Sequence, residues 1–192
     1  MAIRKLQLWL QLTRSHGIIR RYFVVNGFDG ALTMLGLITG FYLSSQAVLE
    51  VVISACLGAA IALAISGVSS AYLSETAERR KALADLEEAM VADLSESAHA
   101  NAARVIPLLI AIVNGAAPLL MSLIIISPLL LVQSGVEFSP DPLLIAITTA
   151  FFCIFGLGAF LGNIGGTSWW LSGIKTMAIA LTTVVLILLI EQ

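Results

Sequence analysis

The chain has 192 residues, of which 59% are hydrophobic and 11% charged, with a net charge of −2 at pH 7 and a mean hydropathy of +0.99; soluble domains do not have this composition. Several apolar runs of membrane-crossing length, with no single short run leading to a small-residue cleavage site, argue against a secreted protein with a signal peptide and for an integral membrane protein. With no nucleophile and base in a paired motif, no phosphate loop, no His or Cys cluster and no basic patch interleaved with aromatics, neither an enzyme nor a nucleic-acid binder is expected.

Residues 3–14, IRKLQLWLQLTR, carry Leu6, Leu8, Trp9, Leu10 and Leu12 on one broad arc and Arg4, Gln7, Gln11 and Arg14 on the other. That pattern predicts an interfacial helix within an N-terminal segment of residues 1–22. His16 follows without a second ligand nearby, and Arg20 and Arg21 anchor the start of the first span.

Residues 23–43 hold a single charge, Asp29, and at about 1.5 Å per residue they cover a hydrocarbon core of about 30 Å. An acid near the bilayer centre costs about 2.5 kcal/mol or more, so it is expected to face a water-filled path, a partner or an ion. Asn26, Asp29, Thr33, Gly36 and Gly40 are spaced three and four apart and share one small, polar helix face. This face is the expected transport path, with Asp29 as its metal or proton site. Gly36 and Gly40 also form a Gly-x-x-x-Gly pair suited to close helix contact.

A short connection containing Glu50 leads to a second span, residues 51–72, rich in Ala, Gly and Ser. Residues 73–104, LSETAERRKALADLEEAMVADLSESAHANAAR, then change character: Ala-rich, dense in charge and free of Gly and Pro, they predict one helix outside the bilayer. On such a helix Glu75, Glu78, Asp85, Glu88, Asp93, Glu96 and His99 fall within about 140° of one another, with Lys81 at its edge as a counter-ion for Asp85. The stripe suits a divalent cation if a second helix completes the shell, and it suits a solvated charged face equally well.

Residues 105–192 predict three more spans, 106–131, 143–161 and 170–190. Pro118 and Pro128 predict a kink or break in the third, whereas Pro107 fits a first turn. The loop 133–142 has two acids and no Lys or Arg; Trp169, Trp170 and Lys175 mark the start of the last span. Basic residues at 4, 5, 14, 20, 21, 79, 80, 81 and 104 put the N-terminus and the 73–104 segment in the cytoplasm and the C-terminus outside. Cys56 and Cys153 sit in separate spans and are expected as buried thiols, not as a disulfide or a metal site. The expectation is thus an all-α polytopic membrane protein: five transmembrane helices, an N-terminal interfacial helix, and one acidic cytoplasmic helix between the second and third spans.

The run SHGIIRRYFVVNGFDGALT, with its basic pair, Asn-Gly, then Asp-Gly followed by Thr, resembles the first transmembrane helix of the vacuolar iron transporter family. Five spans, an acidic insert after the second, and the closing LSGIKTMAIALTTVVLILLI are similar to that family as well. The resemblance implies a homodimer in a prokaryotic cell membrane, with its ion path between the two first helices. Divalent iron or manganese would leave the cytoplasm against inward protons, and Asp29 would bind metal and proton in turn, with no prosthetic group. The chain departs from the family at Ser66 to Tyr72, where a Met and a Glu are replaced, and in an insert with room for one helix instead of about three. A membrane scaffold that docks a partner through its charged helix is the alternative function.

Overall fold

The computed structural model describes residues 15–44 and 48–190, all helix, turn or loop. The interfacial helix expected over residues 3–14 lies outside the described residues. Five helices run in order: α1 Ser15–Leu43, α2 Leu49–Met90, α3 Ala98–Gln133, α4 Pro142–Ile164 and α5 Trp169–Ile190. Each contains a stretch long and apolar enough to cross a membrane.

The chain divides into two compact units, one of Met1–Phe23 with Ala64–Ala116 and the other of Val24–Leu63 with Ala117–Gln192. In the first, Ala71, Ala102, Ile106, Ile110 and Ala111 form a buried core on which Ile18, Ile19 and Tyr22 pack. Here α2 and α3 cross where side chains vanish. A Cβ on Gly115 would lie 2.5 Å from the Ala64 carbonyl oxygen, and one on Gly67 would lie 3.1 Å from that of Asn114. The buried Asn114 amide donates to the Gly67 carbonyl at 2.7 Å, fixing this crossing with a polar bond that an apolar setting leaves without a water competitor.

The second expected helix boundary is corrected by the structure. Residues 73–104 are not one separate helix: α2 carries the second span straight on to Met90, and α3 starts at Ala98. At 42 residues, α2 is about 63 Å long, twice the hydrocarbon core, so α2 and α3 extend beyond their apolar stretches as a helical hairpin. Its turn is built from hydrogen bonds that helix propensity does not report. Val91 adopts φ +50°, with Val91 N–H donating to the Glu88 carbonyl and Ala92 N–H to the Glu87 carbonyl at 3.3 and 3.2 Å; this paired pattern closes a helix C-terminus. The Glu87 carboxylate then accepts from Leu94 N–H at 3.0 Å, and the Ser97 hydroxyl accepts from Ala100 N–H at 3.1 Å as the cap of α3.

A β-branched residue at positive φ is strained, and glycine there is not. Val91→Gly is therefore expected to raise stability by about 1 kcal/mol. Thermal unfolding in detergent checks this; a lower melting temperature for the variant contradicts the strain.

In the second unit the core joins Met34, Leu35 and Ile38 of α1 to Val52, Ile53, Cys56 and Ala60 of α2, Ile125, Ile126 and Leu129 of α3, and Ala146, Ala150 and Ile154 of α4. Met34 is fully buried there. The close approach of α1 is at Gly30, where a Cβ would lie 2.6 Å from Pro118 Cα. The expected Gly36 and Gly40 pair makes no such approach within the chain: Gly36 meets only Ile187 at 3.8 Å, and Gly40 has nothing within 4 Å. Nor is α3 broken at its prolines, which lie inside one continuous helix. The carbonyl of Ile124, left without its N–H donor by Pro128, accepts the Ser127 hydroxyl at 2.7 Å.

Asp141 caps α4 by accepting from Leu143 N–H at 2.8 Å, with Pro142 at the first helical position. Helices α4 and α5 pack through Gly158, Gly162 and Gly173, where added Cβ atoms would overlap Thr176, Ser172 and the Phe155 ring. Phe155 sits edge-on to Trp170 at 5.5 Å between centroids, and Thr176 donates to the Ile154 carbonyl at 3.1 Å. Cys56 is buried and Cys153 half-buried, both as free thiols.

Candidate functional site

Along α1 the apolar positions at Val24, Ala31, Met34, Leu35 and Ile38 are buried, a stripe with helical spacing that turns one face into the unit's own core. The opposite face carries the expected path residues. Asp29 is exposed on it, and Asn26, Thr33, Gly36 and Gly40 are half-buried. The acid thus lies on a membrane-spanning helix but points away from its own unit's packing. Gly30, next to it in sequence, is held against the Pro118 backbone, and two adjacent residues on a helix point about 100° apart. The crossing therefore sets the direction of the Asp29 carboxylate. Two further polar groups of this unit, the hydroxyls of Thr39 and Ser122, are buried with no hydrogen-bond partner among the described residues.

The acidic stripe is divided between three local structures in the first unit. Glu75, Glu78, Asp85 and Glu88 lie on α2, Asp93 and Glu96 in the turn, and His99 in the first turn of α3. Seven ligands on one helix face is therefore not the arrangement present. Glu75 is buried at 8% exposure and takes an ion pair from Arg79 at 3.4 Å; Glu78, Asp85, Glu88, Glu96 and His99 are exposed. The ion pair expected between Lys81 and Asp85 is not made among the described residues. No three His, Cys, Asp or Glu side chains come together as a metal site among the described residues.

Asp93 has a structural task in the turn, accepting from Ser95 N–H at 2.8 Å. That backbone donor, then the Ser95 side chain, favours the charged carboxylate and holds it below its ordinary value of 3.8. A carboxyl depressed in the fold adds stability above its unfolded value, and that stability is lost as pH falls through the folded value. The turn is accordingly expected to stay closed from neutral pH down to about pH 4 and to loosen below it. Exchange protection of the Ser95 amide, measured between pH 5 and 3, checks this. Asp93→Ala should lack protection throughout; equal protection in the variant contradicts the role.

Sequence reasoning missed Glu87, which staples the turn through Leu94, and a cleft formed by α2, the turn and α3. Tyr72, Thr76, Arg80, Leu83 and Glu87 line one wall at helical spacing, and Ser95, Ala100, Ala103 and Arg104 line the other. The four-residue steps from Tyr72 to Arg80 are visible in the sequence, but their partner wall depends on the reversal at Val91.

Five apolar, packed helices define an integral, multi-pass membrane protein. In sequence the chain is similar to the uncharacterized protein MJ0645 of Methanocaldococcus jannaschii, 28% identical over 175 residues that cover 90% of this chain and 88% of the relative. No family model matches the chain, and no solved structure matches it.

Proposed function

We propose that the protein carries divalent metal cations, iron or manganese, out of the cytoplasm in exchange for protons, as a homodimer whose two α1 helices face each other across the path. The observation that carries this reading is the exposed Asp29 on a membrane-spanning helix. A lone chain would present that carboxylate to lipid, whereas a second copy turns it inward, opposite its own equivalent. Gly40, open within the chain, and Gly36, which meets only Ile187 at 3.8 Å, leave room for the second backbone to come close. A carboxylate accepts either a proton or a share of a divalent cation, and two that face each other can hold one cation between them. Proton and metal then compete for one site, and competition at a site with alternating access is exchange.

The resemblance of the Asn26 to Thr33 stretch to the vacuolar iron transporters supports iron as cargo. The distribution of Lys and Arg supports a cytoplasmic N-terminus. The test is uptake of Fe²⁺, Mn²⁺, Co²⁺ and Zn²⁺ by proteoliposomes with and without a pH gradient. Gradient-dependent uptake of iron or manganese is the expected result. A folded, dimeric protein that moves none of them overturns the proposal and leaves partner docking by the α2–α3 hairpin as the next reading.

A further inference from the structure

We infer that the cleft in the α2–α3 hairpin is a binding site for a phosphate group. Its volume is about 290 Å³, small against the usual ligand pocket of about 300 Å³ upward and sized for a compact polar group. Arg80 and Arg104 line its two walls, together with the hydroxyl-bearing residues Tyr72, Thr76 and Ser95. Guanidinium forks and hydroxyl donors are the set that phosphate oxygens recognise.

The charges within the cleft are not satisfied internally. Neither Arg80 nor Arg104 makes an ion pair among the described residues. The carboxylate that lines the cleft, Glu87, is occupied as acceptor for Leu94 N–H. Thr76 supplies an independent sign: the residue lines the cleft, and its hydroxyl is buried with no hydrogen-bond partner among the described residues. A buried hydroxyl without a partner costs free energy that a bound oxyanion returns. A metal cation is the wrong ligand here, since two arginines repel it and one engaged carboxylate cannot offset them.

The phosphate has two sources with the same chemistry, a phospholipid headgroup or a soluble phosphate. Tyr72 closes the apolar part of α2, and Arg80 lies eight positions further on in the sequence, about 12 Å along the helix. The headgroup layer is about 5 to 8 Å on each side of the hydrocarbon core, so the Tyr72 and Thr76 end of the cleft falls within it and Arg80 just beyond it.

The test uses the full chain in a neutral detergent. Melting temperature is followed against inorganic phosphate, at constant ionic strength in chloride, and in parallel against short-chain phosphatidylglycerol and phosphatidylcholine. Wild type should gain stability from phosphate, from phosphatidylglycerol, or from both. Phosphate alone points to a soluble source and phosphatidylglycerol alone to a headgroup. Arg80→Gln and Arg104→Gln, both at exposed positions, should each weaken binding about tenfold or more. Thr76→Val, which keeps the shape, should weaken it by a smaller factor, and Lys175→Gln, not among the residues that line the cleft, should leave it unchanged. No stabilisation beyond chloride, or equal loss in Lys175→Gln, overturns the site.

Discussion

Asp29→Asn abolishes cation uptake while leaving the protein folded and its melting temperature unchanged or raised. The two halves of this expected result come from one cause. The carboxylate sits on a membrane-spanning helix and is exposed on its own unit, so among the described residues no hydrogen bond is lost when the charge is removed. What is lost is the acceptor for metal and proton, and asparagine, with a neutral amide, replaces neither function. Removing an ionisable group from a membrane-spanning helix also removes its desolvation cost, which gives the stability change its sign. Asp29→Glu should keep measurable uptake with altered preference among ions, because it retains the charge on a longer arm. The measurements are proteoliposome flux and thermal unfolding on the same preparations. Unchanged flux in Asp29→Asn sinks the proposed site, and a large fall in melting temperature assigns the acid to structure instead.

Gly30→Ala is expected to cost about 1 to 3 kcal/mol, by overpacking. The added methyl would sit 2.6 Å from both Cα and the carbonyl oxygen of Pro118. Both are backbone atoms, so no rotamer change can make room. Gly36→Ala adds the same methyl with only Ile187 at 3.8 Å and is expected to be neutral for the fold of the single chain. The comparison separates two kinds of glycine that look alike in the sequence. If Gly36→Ala disrupts dimers and transport while the monomer stays folded, Gly36 serves the contact between copies. Equal destabilisation by both variants would contradict the Pro118 crossing.

Much of the architecture is legible because bilayer thickness imposes a length and a composition that local sequence must meet. All five spans satisfy it. The polar face of α1 is legible too, since positions three and four apart share a side whatever surrounds them. Which side meets the core is decided by the packing of Met34, Leu35 and Ile38 with residues of α2, α3 and α4. The contact between Gly30 and Pro118 is likewise distant in the chain, and no local pattern distinguishes Gly30 from Gly36. The reversal at Val91 was hidden for a different reason. Its flanks are good helix formers, and no glycine marks the positive φ. The trace left in the sequence is polar: Asp93, Ser95 and Ser97 compete for backbone groups, and each makes a hydrogen bond in the turn.

The first span also bears on how the protein is made. Of the five membrane-crossing helices α1 is the least apolar, and it holds Asp29 within its apolar stretch, yet it reaches the insertion machinery before its partners exist. Its commitment to the bilayer must therefore be completed late, when α3 arrives and Pro118 closes on Gly30. A chain truncated before α3 should leave its first segment poorly retained in the membrane, so the acid of α1 imposes an order on biogenesis.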